Sequence, residues 1–296
     1  MRTSVYDPDM DNIKESIDLV QKNFKVEYYT LLGGEPLLYL KKVEEVLKYI
    51  RSIDKTVKII IPTNATVLHK KFDEVARLLN TYTVSLYICN HYAGFEDTTK
   101  SQQIRSVSKQ FVEYLNLTKI DQNVFFEELL DWTNKRNDPS LGEYIQRKGT
   151  MSLDPTNEVY SSGQYYVWIR DQYEFQSSYY LENNKPKPFQ SNNIWDSYIN
   201  GCCSLMCSFL LNKKLYKCAA LGTLEKLLNY HEVLDDPDWE QYLNYQPLDL
   251  ENCSEDDIKN FSDQKYRAIN ECSMCPSTSK SFRKVEETVF PIKIVK

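Results

Sequence analysis

Apolar residues in the first ninety positions switch three times between helical spacing and a short continuous run, and that alternation constrains the fold more than any other feature. Ile13, Ile17, Val20 and Phe24 are spaced four, three and four apart, one face of a helix over 11–24. VEYYTLL (26–32) follows as a strand rich in β-branched and aromatic residues. Val43, Val46, Leu47, Ile50 and Ile53 mark a second amphipathic helix, and VKIIIP (57–62) is a nearly unbroken apolar run, as in a strand covered on both faces. Phe72, Val75, Leu78 and Leu79 mark a third helix, and VSLYIC (84–89) a third strand. Short connections and right-handed crossovers make such strands parallel neighbours in one sheet. The expected fold class is therefore α/β, a partial (β/α) barrel with parallel strands at 26–32, 57–62, 84–89 and, from YYVWIRD, 165–170. A βα series should open with a strand, yet the residues before the first helix hold no strand-like run, so either the series opens with a helix or the chain lacks its first strand.

Beyond residue 94 the pattern weakens. SQQIRSVSKQFVEYL and NVFFEELLDWTNK read as helices, 134–163 as a polar loop, and 172–200 as a Tyr/Asn-rich loop or irregular layer. After 201 the helices shorten and cysteines appear, so the expected division is an α/β domain over 1–200 and a small Cys-rich domain over 201–296. Ser254 and Asp257 form a Ser-x-x-Asp helix-capping pattern. Lys plus Arg total 36 against 42 Asp plus Glu, a net charge of −6, which argues against nucleic acid or an anionic membrane as the main partner. No apolar stretch approaches the ~20 residues of a membrane span. The start, MRTSVYDPDMDN, has no apolar segment of a secretion signal, so a cytoplasmic location is expected.

Chemistry-bearing residues fall in two places. Gly33-Gly34-Glu35-Pro36 stands directly after a strand, where parallel α/β barrels place their active sites. The chain has only 8 glycines, and two of them are adjacent here. Paired glycines let backbone approach a ligand closely and accept positive φ, and Pro36 fixes the path into the next segment. A ligand amine could be held by exposed carbonyls or by Glu35. An ordinary strand-to-helix turn is the plainer interpretation of the same residues. Thr63-Asn64-Ala65 and Asn90-His91-Tyr92 occupy the equivalent ends of the next two strands, so Gly34, Thr63 and Asn90 should share one rim.

The second place is the set Cys202, Cys203, Cys207, Cys218, Cys272 and Cys275. Cys272-Ser273-Met274-Cys275 is a CxxC, and Cys207 and Cys218 flank a hairpin whose turn is Asn212-Lys213. A hairpin plus a CxxC can bring four thiolates around zinc or an iron–sulfur cluster, and spacing alone does not separate the two. Disulfides are a poor alternative in a chain with no secretion signal. The expected ligands are Cys207, Cys218, Cys272 and Cys275, with Cys203 as a substitute, while Cys89 and Cys253 should stand apart.

Taken together, LLGGEPLLY (31–39), IIIPTNATVL (59–68) and the run from Cys207 through LNKKLYKC to Cys275 resemble radical S-adenosylmethionine enzymes with a SPASM- or twitch-type auxiliary cluster domain. The resemblance covers about residues 11–92 and 200–277. It implies that Gly33, Gly34, Glu35 and Pro36 contact the amino group of S-adenosylmethionine, and that Thr63 and Asn64 line its pocket. It implies an auxiliary 4Fe–4S cluster on the C-terminal cysteines, and a reaction in which reductive cleavage of S-adenosylmethionine leads to hydrogen abstraction from a small-molecule, sugar-type or peptide substrate. An electron-donor protein would be a partner. Two glycines of the family pattern are replaced, by Ala65 after Thr-Asn and by Lys213 in the hairpin turn.

One departure is larger. The family's reactive cluster sits on a Cys-x3-Cys-x2-Cys loop after the first strand, and this chain has no cysteine before Cys89. The missing strand and the missing loop are the same piece, so the sequence reads as beginning just past the loop or as a degenerate protein. No catalytic residue is assigned, and the chain by itself is expected to bind S-adenosylmethionine weakly. The competing expectation is a non-catalytic binding protein on a degenerate barrel, with a structural zinc or iron–sulfur site.

Overall fold

The structure, a computed structural model, describes residues 9–94, 98–122, 157–172, 174–175, 178–198, 202, 208–265, 267–277 and 280–281. The chain divides into two compact units, one of Lys25–Tyr173 and one of Met1–Phe24 with Glu174–Lys296. The sequence placed a single line at 200. Two packing facts account for the difference. Helix α1 (Met10–Asn23) belongs with the C-terminal half, where its Ser16 Oγ accepts from the backbone N–H of Lys213 at 2.9 Å. Residues 189–197 are tied to the CxxC segment by Phe189 N–H to Met274 O at 3.1 Å and Ser191 N–H to Ser273 O at 2.8 Å.

Unit Lys25–Tyr173 is built on a mixed six-stranded sheet. Its strands are β1 (Tyr28–Thr30), β2 (Lys58–Thr63), β3 (Ser85–Asn90), β4 (Thr118–Ile120), β5 (Glu158–Ser161) and β6 (Tyr166–Asp171), in the order β1-β2-β3-β6-β5-β4. The pairs β1–β2, β2–β3 and β3–β6 are parallel, as the alternating pattern requires. The pairs β5–β6 and β4–β5 are antiparallel. β5 falls within the segment expected to be a loop. It forms a hairpin with β6 through Ser162-Gly163-Gln164-Tyr165, and Gly163 takes φ +83° in the turn.

Strand alternation sorts the sheet's two faces. Ile59, Ile61, Leu86, Ile88, Val167 and Ile169 are buried, whereas Ile60, Pro62, Tyr87, Cys89, Trp168 and Arg170 are half-buried. Helices α2 (Leu40–Ile53), α3 (Phe72–Tyr82) and α4 (Thr98–Tyr114) each bury one apolar stripe, led by Leu47 and Ile50, by Val75 and Leu79, and by Ile104 and Phe111. Burying each such side chain stabilises the fold by about 1.5–3 kcal/mol. Arg51 fastens the far ends of α2 and α3, donating to the carbonyls of Tyr82 at 2.8 Å, Val57 at 2.7 Å and Thr83 at 3.1 Å.

Among the described residues, the strands of the other unit are short: β7 (Glu174–Phe175), β8 (Tyr180–Glu182), β9 (Lys185–Lys187), β10 (Phe209–Leu211), β11 (Lys214–Tyr216), β12 (Leu248–Asp249) and β13 (Lys280–Ser281). The predicted hairpin is β10–β11. Asn212 and Lys213 in its turn both take positive φ, 50° and 61°, matching a two-residue turn of the primed type. Lys213 sits in a conformation that favours glycine, and its ammonium bridges Glu15 at 2.6 Å and Glu251 at 2.9 Å. Helix α5 (Ala219–Tyr230) packs with Trp239, Tyr242 and Met274 in this unit's core. Helix α6 (Glu255–Lys265) begins at the expected cap, with Asp257 N–H donating to Ser254 Oγ at 3.2 Å and Ser254 N–H donating back to Asp257 Oδ2 at 2.8 Å. Among the described residues no helix is long and apolar enough to cross a membrane.

Candidate functional site

Four of the parallel unit's buried polar residues lie at the C-terminal ends of its parallel strands: Glu35 at 7%, Thr63 at 4%, Asn90 at 0% and Asp171 at 6% exposure. Unsatisfied, each would cost about 1–3 kcal/mol, so their partners define the rim. The Glu35 carboxylate accepts three hydrogen bonds: from Thr63 Oγ1 at 2.7 Å, Asn64 N–H at 2.9 Å and Leu37 N–H at 3.1 Å. It thereby joins the loop after β1 to the end of β2, 28 residues on. Thr63 Oγ1 then accepts from Ala65 N–H at 3.0 Å, and Asn64 Oδ1 accepts from Thr66 N–H at 2.9 Å. Ala65, buried, holds φ +57° in this turn.

The sequence assigned Glu35 as a possible hold on a ligand amine. In the structure its carboxylate clasps two strand ends, and the side chains of Thr63 and Asn64 are engaged in the same turn. Pro36 opens the short 3-10 turn Pro36–Tyr39 that leads into α2. Gly33 and Gly34 are exposed, and a Cβ on either would meet no atom within 4 Å. Positive φ was expected of them, but among the described glycines only Gly163 has it. Nothing inside the fold therefore requires glycine at 33 or 34, which leaves their bare backbone open to close approach from outside.

A second polar knot completes the rim. Asn90 Nδ2 donates to Asp171 Oδ1 at 2.8 Å and Ser101 Oγ at 2.9 Å, and Arg105 grips Asp171 through Nε at 2.9 Å and Nη2 at 2.7 Å. Sequence reasoning placed Asn90 here but missed Asp171 and Arg105. The available signal was Asp171 as the acidic last residue of a mostly apolar strand. On the half-buried face, Tyr87 and Trp168 stack with centroids 4.6 Å apart, and Arg170 Nη1 donates to the Tyr87 hydroxyl at 3.3 Å. Burial pushes the Cys89 thiol up to about 11, so it is protonated at neutral pH. Burial also lowers the pKa of His91 and favours its neutral imidazole.

In the other unit, Cys202, Cys218, Cys272 and Cys275 line one cavity with Ser197, Tyr198 and Lys217. Leu221 and Met274 supply its apolar wall, and Glu271 stands at its edge. Cys218 lies two residues past the second hairpin strand, and Cys272 lies in a short 3-10 turn, Asn270–Met274, that Cys275 follows. None of the six described cysteines is in a disulfide. Cys203 and Cys207 lie outside the described residues, and Cys202, not among the expected ligands, is in the cavity. Cys89 and Cys253 do not line it, and Cys253 donates instead toward Leu250 O at 3.9 Å. Burial raises the pKa of Cys272, opposed by a hydrogen bond from Ile269 N–H at 3.5 Å. Lys217 is buried; burial depresses its pKa, and Cys272, Cys202 and Cys218 act to restore its charged form. Among the described residues, no group of three or more His, Cys, Asp or Glu is arranged to hold a single metal ion.

No protein-family model matches the chain, and no curated protein matches it in sequence.

Proposed function

We propose that this chain is a radical S-adenosylmethionine-type enzyme, or the portion of one that it covers, carrying an auxiliary iron–sulfur cluster and acting on a peptide or sugar-type substrate. The observation that carries this reading is the clasp at the rim. Two short motifs, Gly33-Gly34-Glu35-Pro36 and Thr63-Asn64-Ala65, form one hydrogen-bonded unit at the ends of adjacent parallel strands. Two backbone angles add support. Ala65 and Lys213, the residues that replace glycine in the family's pattern, both hold positive φ, 57° and 61°. The backbone thus keeps a glycine geometry at two independent points where the side chain departs. This reading takes the parallel pairs β1–β2, β2–β3 and β3–β6 as part of a (β/α) barrel.

The fit to each group differs. Four thiols around one cavity suit a 4Fe–4S cluster, and Cys218, Cys272, Cys275 and Cys202 would hold it. The eight cysteines contain no Cys-x3-Cys-x2-Cys, so the residues of this chain do not fit the reactive cluster, and no step is derived through it. When bound, S-adenosylmethionine would supply a carbon–sulfur bond whose one-electron reductive cleavage leads to hydrogen abstraction, the electron coming from an iron–sulfur reductant or an electron-donor protein. The chain's own part is to position it. The exposed backbone at Gly33 and Gly34 would take the amino group, Glu35 would hold that loop against β2, and the half-buried Tyr87, Trp168 and Arg170 would face substrate.

The test is a titration of the full chain with S-adenosylmethionine, followed by amide NMR. Binding weaker than about 1 μM is expected, with shifts concentrated at Gly33, Gly34 and Ala65. Saturating ligand without shifts at these amides would overturn the proposal.

A further inference from the structure

The CxxC is gripped from one side by a segment that ends 78 residues before it. Three successive carbonyls past Cys272 accept hydrogen bonds from that segment: Ser273 O from Ser191 N–H at 2.8 Å, Met274 O from Phe189 N–H at 3.1 Å, and Cys275 O from the Ser197 hydroxyl at 3.0 Å. The third bond differs from the other two, because it comes from a side chain and ends on a thiol-bearing residue of the cavity. Ser197 is 0% exposed and lines that cavity together with Cys275. A hydroxyl buried this deeply is costly unless it is paired, so its presence at the wall calls for a reason. Ser197 is itself seated by the single-turn helix Ile194–Asp196. Its N–H donates to Asn193 O at 3.1 Å, and the Asn193 side chain accepts from Asp196 N–H at 3.2 Å.

The consequence for Cys275 is geometric. Its own N–H donates to Cys272 O at 3.1 Å, which fixes the peptide before it, and Ser197 fixes the peptide after it. Pro276 follows, with a fixed φ and no N–H to add a hold of its own. With both flanking peptides held, the Cα–Cβ direction of Cys275 is set, and the sulfur keeps only the staggered choices of χ1. Cys218 is placed by different means: it stands at the start of helix α5, and its carbonyl accepts from Gly222 N–H at 3.2 Å. We infer that Ser197 is a positioning residue for Cys275, holding its sulfur toward the cavity as one ligand of the cluster. The inference rests on the proposal above that these thiols hold a cluster. The same turn supplies an internal contrast. The Ser273 hydroxyl donates to Asn270 O at 2.7 Å and meets the Tyr242 hydroxyl at 3.1 Å, so Tyr242 steadies the turn through a residue that carries no thiol.

The experiment uses the full chain, reconstituted anaerobically with iron and sulfide, and has two stages. Iron and acid-labile sulfide analysis of wild type comes first: a chain that takes up neither ends the four-thiol reading, and this inference with it. Loaded wild type, S197A and Y242F are then oxidised mildly with ferricyanide. The three-iron cluster left when one iron departs is read by electron paramagnetic resonance. An iron whose thiolate is loosely held leaves sooner, and losing a group that orients a ligand costs about tenfold or more in metal retention. S197A should therefore lose its iron about tenfold faster than wild type, and Y242F at the wild-type rate. If S197A does not fold, N193A unseats the same hydroxyl from an exposed position and should accelerate the loss in the same direction by a smaller factor. A loaded S197A or N193A with the wild-type rate overturns the assignment, because the turn would then hold Cys275 unaided. A Y242F as labile as S197A overturns it too, because any loosening of the turn would then have the same effect.

Discussion

At the strand-end rim, the chain's own atoms answer most of the buried polar groups: both oxygens of Glu35 have donors, Asp171 is held by Arg105 and Asn90, and Asn90 Oδ1 alone of these meets no donor among the described residues. In the cysteine cavity the balance is different. Four thiols and a lysine surround one space, and no disulfide uses the sulfurs. A rim held this largely by its own residues is preorganised and should keep its shape with no ligand bound. A cavity lined by thiols would gain most from the proposed cluster, because metal–thiolate bonding is also folding free energy. The first kind of site is broken by removing protein partners, and the second, on the cluster proposed above, by removing thiols.

The largest expected effect is therefore at the cavity. The double substitution Cys272→Ser and Cys275→Ser should abolish iron and sulfide uptake after anaerobic reconstitution, while the amide NMR signals of the rim stay in place. A double variant that retains wild-type iron would show that other thiols carry the centre.

At the rim the corresponding loss is one of stability. Arg105→Met leaves the Asp171 carboxylate buried without its cationic partner, a change that costs about 3 kcal/mol in comparable settings. Glu35→Ala strands Thr63 Oγ1 and two backbone N–H groups, and should cost about 2 kcal/mol. Urea unfolding reports both. A loss under about 0.5 kcal/mol in either variant would mean that water replaces these partners easily, and the preorganised rim would have to be given up.

How much of this was legible follows the range of the interactions. The parallel strands were readable because apolar alternation is local: β2, β3 and β6 lie within a residue of the runs that predict them. The hairpin turn at Asn212-Lys213 was readable from the same local chemistry. The β8–β9 hairpin was not, although Asn183 and Asn184 both adopt positive φ and an Asn-Asn pair is a usable turn signal. The role of Glu35 was hidden because its partner Thr63 lies 28 residues away, and that of Arg105 because Asp171 lies 66 away. Periodicity says which face a residue takes, not which distant polar group it meets there. The domain boundary was hidden for the same reason, since α1 joins the C-terminal half through Ser16 and Lys213, 197 residues apart.

A smaller change sharpens the comparison from the stabilising side. Ala65 holds φ +57°, a region that costs a residue with a Cβ about 1–2 kcal/mol and costs glycine almost nothing. Glycine also has more unfolded-state entropy to lose, which takes back about half of that. Ala65→Gly should therefore raise stability by about 0.5–1 kcal/mol in urea unfolding. A destabilised variant would show that the buried methyl is worth more in packing than the backbone conformation costs.

The smallest effect on stability is expected where the proposal for function is most exposed. At Gly34 an added Cβ meets no atom within 4 Å, and φ is not positive, so Gly34→Ala has neither a clash nor a strained backbone to overcome. It should change unfolding free energy by less than about 0.5 kcal/mol, in the stabilising direction if at all. Gly222 is the internal contrast: in α5 its Cβ would lie 2.4 Å from a ring carbon of Phe209, so Gly222→Ala must displace that ring and should destabilise by about 1–3 kcal/mol. If Gly34 is glycine only because the turn tolerates it, Gly34→Ala is silent in every assay. If its bare backbone is where a ligand amine approaches, the same substitution weakens S-adenosylmethionine binding about tenfold or more at unchanged stability, since one methyl group stands in the line of approach. Ligand titration of Gly34→Ala beside wild type separates the two. An unchanged affinity would leave the rim as a well-made strand end and nothing more.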